Sequence, residues 1–323
     1  MEHSGFSIEL KLAYAPLCNF DFTYIKREPI IQEILKGSML YVIGQRPMIT
    51  FDDITFNRIN GSLNFDITLK GTVEKLKCSL PVYQELIEPN DTKAVNILFG
   101  SYDKTWNFEN LPVSQVNGIQ IFDKDMKFIL WLSPDKLLHL FWNKIIKANI
   151  IGDLRPFTTY LVHYVGKATD QEIWQRLTGH KTLQEILSIE NPFNYGTLPT
   201  HEIILLLFRV SDLISIRTMG NNVDDFVKQM FGHNLPNDKD VSLDAEKLLI
   251  KLLDPNYNNK KFPYYPKSTD GLYKFSFDSF MYHIAEEITL KYSERELHFS
   301  CNQMHSDLIK IKGNKDVEVI KHK

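Results

Sequence analysis

Between Thr158 and Leu187 the hydrophobic period of the chain changes once, and that change fixes the local fold. Residues 158–165, TTYLVHYV, alternate as a strand does. Gly166-Lys167 turns the chain. Ile173, Trp174, Leu177, Leu183, Ile186 and Leu187 then recur at helical spacing and define one buried face. Thr169, with Glu172 three residues on, has the spacing of a capping box. Strict alternation puts Tyr160, Val162 and Tyr164 on one face of the strand and Leu161, His163 and Val165 on the other. Arg176 and His180 lie four apart and project from one side of a single helix. A Tyr at a strand end, a Gly turn with a Lys, and an Arg and a His on the next helix all suit a phosphodiester. Arg forks onto phosphate oxygens, Lys adds a point charge, and Tyr or His can move a proton.

Composition excludes several classes. With 43% apolar and 24% charged residues, 323 residues bury a sizeable core without staples. A net charge of −3 means that nucleic-acid binding must come from a local patch. Cys18, Cys78 and Cys301 are scattered and odd in number, which fits a reducing compartment better than a disulfide framework. The N-terminus has neither a basic nor an apolar signal region, and the apolar run Ile203–Phe208 is far short of the ~20 residues of a membrane span. A soluble, cytoplasmic chain without membrane contact is expected.

Residues 1–132 read as a β-rich domain without a chemical motif, suited to a scaffold or to a protein partner. Phe6 to Leu12 and Leu63 to Leu69 alternate, the latter after an Asn60-Gly61 turn; only 30–35 and 83–88 hint at helix. Ser133-Pro134-Asp135 opens a connecting helix within 133–150. A strand from His201 to Phe208 and a second at Leu213–Arg217 follow a 191–199 loop; 223–231 suggests a short helix, and Ser242 caps a helix carrying Glu246 and ended by Pro255. Residues 266–323 return to strand patterns and end in a weakly basic tail.

Tyr164-Val165-Gly166-Lys167 followed by Arg176-Leu177-Thr178-Gly179-His180 resembles the second half of the GIY-YIG nuclease signature. Glu246, followed by Pro255-Asn256-Tyr257-Asn258, is similar to that family's later Glu helix and its Asn. The resemblance covers about 145–265, roughly a third of the chain. It implies an α+β architecture: a small GIY-YIG-like mixed α/β nuclease domain at 151–265, flanked by the β-rich N-terminal domain and a C-terminal strand extension. It also implies hydrolysis of DNA phosphodiester bonds with one Mg²⁺ or Mn²⁺ held by Glu246. Catalysis would fall to Tyr160, Tyr164, Arg176, His180 and Glu246, and substrate binding to Lys167, Gly166 and Asn258. No Gly-Ile-Tyr occurs about ten residues ahead of Tyr164, where position 153 is Asp. Either Tyr160 substitutes for that tyrosine or a water is activated differently.

Each residue also has an ordinary structural role open to it. Tyr164 suits a half-buried strand, Arg176 a pair with Glu172, and His180 a helix end. Glu202 is the competing carboxylate. His298, Cys301 and His305 have zinc-like spacing but no evident fourth ligand. The alternative function is a catalytically inactive module of the same fold that binds nucleic acid or protein.

Overall fold

The computed structural model describes residues 4–87, 94–100, 112–190, 201–217, 236–275, 278–313 and 315–322. The expected 191–199 loop and 223–231 helix lie outside them. The fold is mixed α+β. The chain forms two compact units, and they cut across the division expected from sequence. One comprises 1–45, 160–187 and 204–323; the other comprises 46–159 and 188–203. The first 45 residues thus belong with the C-terminal half.

The first unit begins with β1 (Ser4–Leu12), β2 (Leu17–Cys18) and β3 (Leu40–Pro47), with short helices Asn19–Ile25 and Pro29–Leu35 between the last two. The second unit holds β4 (Ile49–Asn57), β5 (Ser62–Leu69), β6 (Lys75–Leu80), β7 (Val95–Gly100), β8 (Gly118–Asp123), β9 (Phe128–Leu132) and β10 (Asn149–Ile151). The chain then contributes β11 (Thr159–Lys167), β12 (His201–Arg217), β13 (Ser279–Ile284), β14 (Ile288–Tyr292), β15 (Arg295–Phe299), β16 (Leu308–Lys312) and β17 (Asp316–Ile320).

In the second unit, β10-β6-β5-β4 form one sheet and β7-β8-β9 another. The β4–β5 turn uses Gly61 at φ +67°, as the Asn-Gly pair predicts. Ser133 Oγ caps the Pro134–Trp142 helix by accepting from the Lys136 N–H. Phe51, Ile67, Leu76, Ile119 and Leu137 lie in its core. Glu202, the competing carboxylate, is bound here: Arg46 Nη2 lies 2.5 Å from Asp135 and 3.6 Å from Glu202, with the Arg46 side chain fully buried. Asp135 pairs the buried guanidinium directly and Glu202 adds a longer ion pair, so Glu202 faces a structural cation here.

In the first unit the sheet order is β15-β14-β11-β3-β12-β1-β13-β16-β17, with β2 beside β12. β11 and β3 are antiparallel neighbours, with Gly166 opposite Tyr41 and Val165 opposite Val42. The two strands expected at 201–208 and 213–217 are one long strand, paired along β1. The helix Asp238–Leu253 packs on this sheet through Val241, Ala245, Leu248, Leu249 and Leu253. It starts four residues before Ser242. Asn237 is its cap, accepting from the Asp240 N–H at 2.9 Å, and Ser242 is buried within it. Asp244 on that helix accepts from the Tyr265 and Tyr282 hydroxyls at 2.7 Å each, fastening helix to sheet.

Two local readings are corrected. The register of β11 shifts between Val162 and Tyr164. A bulge at His163 reverses the alternation, so Tyr160, Val162 and Val165 enter the core together while Tyr164 faces the other side. The single helix expected after Gly166 is two, Ile173–Thr178 and Lys181–Ile189. Glu172 precedes the first as its N-cap, so the Thr169 capping box does not form. Gly179 ends the first helix, and His180 caps the second. Its carbonyl accepts from the Gln184 N–H, and its Nδ1 accepts from the Leu183 N–H at 3.0 Å.

Candidate active site

Most of the expected site residues converge in the first unit, and they bring one that sequence spacing did not point to. β3 places Tyr41 beside β11, and the bulge turns Tyr164 toward it; the ring centroids lie 6.1 Å apart. His180 stands edge-on to both rings, at 5.6 Å from Tyr41 and 5.2 Å from Tyr164. Tyr41 Oη lies 2.6 Å from His180 Nε2.

The direction of that hydrogen bond follows from the helix cap. Nδ1 of His180 is already accepting from an amide, so in the neutral ring the proton sits on Nε2. His180 therefore donates to the Tyr41 oxygen, and the Tyr41 O–H is left to donate elsewhere. Burial, and then the Arg176 charge, lower the His180 pKa to about 4, so the ring is neutral at pH 7.

Gly166 is what lets the two phenols lie over the strand. A Cβ there would come within 2.5 Å of Tyr164 Cε1 and of Tyr41 Cζ and Oη. The glycine acts through the space it leaves.

Burial raises the Tyr41 pKa well above the ordinary phenol value, with Tyr164 and Glu246 adding to the rise and Arg176 opposing it. Tyr164 is raised for the same reasons, burial first and then Glu246, while Arg176 pulls it down. Arg176 and Glu246 thus act on both phenols from opposite electrostatic sides.

Glu246 is 8% exposed, and its Oε2 is buried with no hydrogen-bond partner. Lys167 Nζ lies 3.1 Å from that oxygen, as an ion pair rather than a well-directed hydrogen bond. Burial pushes the carboxyl pKa up; Lys167 and then Lys247 pull it back. Lys247 itself is held by the Asp270 carboxylate and, at 3.0 Å, by the Asp270 carbonyl. A buried carboxylate oxygen without a directed donor fits a hard cation that keeps most of its waters and needs one protein carboxylate. Among the described residues no group of three or more His, Cys, Asp or Glu is arranged to hold a metal. A metal here would be held by Glu246, with other ligands from water and substrate.

Two expected residues serve elsewhere. Tyr160 is fully buried in the core, packed against Gly44 of β3, and does not reach the cluster. Asn258 spends its side chain on one residue of β11. Its Oδ1 accepts from the Val165 N–H at 2.9 Å, and its Nδ2 donates to the Val165 carbonyl at 2.7 Å. With the Tyr257 N–H on the His163 carbonyl, it secures the bulged strand from a buried position. The zinc-like trio is also dispersed: His298 bonds Thr289, Cys301 approaches the Ala285 carbonyl, and His305 faces His322.

The cap role of His180 gives a pH prediction. Its folded pKa, about 4, lies below the ordinary 6.5, so the unfolded chain binds the proton more readily between those values. Stability is full above about pH 6.5 and falls as pH drops toward 4. Thermal unfolding across this window should show a smaller pH dependence in His180→Asn, which keeps a capping acceptor but cannot titrate.

Tyr41 was hidden from sequence spacing because its partner strand lies beyond the long segment 46–159. The available signal was the strand run Met39–Gly44, with one tyrosine among apolar residues. No helix among the described residues is long and apolar enough to cross a membrane. In comparisons with known proteins, no family model, no curated protein and no solved structure matches this chain.

Proposed function

We propose that the cluster around Gly166 is the active site of a divalent-metal-dependent endonuclease that hydrolyses DNA phosphodiester bonds, as GIY-YIG nucleases do. The observation that carries this reading is the meeting of Tyr41 and Tyr164 on paired strands with Arg176, His180 and Glu246. It supplies a tyrosine on the neighbouring strand, the position that lacked a candidate in the sequence. Leu40-Tyr41-Val42 takes the place of the first motif, and Tyr160 has no catalytic part.

Each side chain has a task in this mechanism. Arg176 stabilises charge on the phosphoryl oxygens. Tyr41 carries its proton at neutral pH, because burial raises its pKa further above the ordinary phenol value. With its oxygen held by His180 Nε2–H, its hydroxyl donates to the attacking water or to a phosphate oxygen. Tyr164, beside the charge of Arg176, is a neutral phenol that positions the attacking water, and the proton that the water loses passes to solvent. The water oxygen bonds to phosphorus, the P–O bond to the leaving sugar breaks, and solvent protonates the released oxygen. Glu246 would hold one Mg²⁺ or Mn²⁺, which supplies Lewis-acid polarisation of the phosphate. Lys167 steadies the phosphate.

Nicking of supercoiled plasmid with Mg²⁺, with Mn²⁺ and with EDTA tests the reading. Metal-dependent cutting by the wild type should be abolished in Glu246→Ala. A second reading, a non-catalytic module that binds nucleic acid or protein, is favoured by the direct pairing of Glu246 with Lys167. Binding of plasmid without cutting under any of these conditions would support it.

A further inference from the structure

The Lys167–Glu246 pair is unequal. The Glu246 side chain is 10% exposed and cannot leave its site on the helix, whereas that of Lys167 is 33% exposed. Lys247 does not compete for the carboxylate, because Asp270 holds it. A buried carboxylate requires a cationic partner throughout, since removing it leaves an uncompensated charge in low dielectric. An ammonium 3.1 Å from Oε2 and a divalent cation on the same carboxylate repel each other, which disfavours joint occupancy.

We propose that Lys167 is the resident counter-ion of Glu246, and that a divalent cation binds by displacing its ammonium, which then turns to the substrate phosphate. This rests on the metal-dependent reading of the same site. One lysine thereby does two jobs in sequence. Before binding it neutralises the carboxylate, and afterwards it is a point charge for the phosphodiester. Metal and phosphate are then coupled: each favours the position of Lys167 that the other needs, so each tightens the other.

Calorimetric titration of Mn²⁺ into the substrate-free protein tests this, with folding checked by circular dichroism. Lys167→Met should bind Mn²⁺ about tenfold more tightly than wild type, within the usual range of coupling between sites. Lys167→Arg, which keeps the charge, should gain nothing, and Glu246→Gln should lose binding. Equal affinity in wild type and Lys167→Met, with Glu246→Gln still deficient, would overturn the displacement and leave the metal assignment standing. Wild type and Glu246→Gln behaving alike would remove the metal assignment, and the displacement with it. A second measurement needs no variant. Acetylation of Lys167 by acetic anhydride, followed by mass spectrometry, should accelerate several-fold at saturating Mn²⁺ in the wild type. An unchanged rate would also overturn the displacement.

Discussion

Tyr41→Phe is expected to reduce plasmid cleavage by about 10²–10³-fold, the usual cost of removing one positioned hydrogen-bond donor from the reacting oxygens. The substitution keeps the ring and removes only the hydroxyl. Two effects combine. The site loses the hydroxyl that donates toward water or phosphate, and His180 Nε2–H loses its acceptor at 2.6 Å. A buried donor left unsatisfied costs about 1–3 kcal/mol, so the midpoint of urea unfolding should fall as well. Single-turnover cleavage separates the two, because a purely structural role would lower stability while sparing the rate of folded protein. Tyr160→Phe is the control. It alters the tyrosine nearest Tyr164 in sequence, and cleavage should be unchanged. If Tyr160→Phe is dead and Tyr41→Phe active, the assignment of the first tyrosine is wrong.

Gly166→Ala is the second large effect. The new methyl would meet Tyr164 Cε1, Tyr41 Cζ and Tyr41 Oη at 2.5 Å, and Tyr41 is fully buried and cannot yield. Overpacking of this kind costs about 1–3 kcal/mol, occasionally more. Displacing a reacting group by an ångström costs about 10²-fold in rate. Urea unfolding should show a lower midpoint with an unchanged slope, and cleavage should fall well beyond the fraction unfolded. A fully active, equally stable alanine variant would show that the two phenols need not stack over this strand.

The half of the site carried by 164–180 was legible because its residues are close in sequence and the strand-to-helix change of period is strong. Glu246 was legible from its place on a later helix. Tyr41 was not, for a physical reason: strand pairing is a non-local choice, and the continuous apolar run Met39–Gly44 carries no mark of its partner across a long insertion. The fate of Tyr160 turned on a single extra residue. Period-two reasoning assumes an unbroken pleat, and the bulge at His163 reverses every face beyond it. The division into units failed similarly. Phe6 to Leu12 reads as a strand, but only the fold reveals that its neighbours are β12 and β13, not the strands that follow it.

That central position of β1 governs the order in which the molecule can be made. Its antiparallel partner is β12 and its parallel partner is β13, both from the later part of the chain. During synthesis the first strand leaves the ribosome long before either neighbour exists. The segment 46–159 can gather most of its own core in the meantime, whereas Phe6, Ile8 and Leu10 must wait exposed. Such widely separated pairings close late and slowly, and the waiting strand is an edge open to wrong partners. Yield from a ribosome should therefore depend more on protection of the first dozen residues than on any residue of the site.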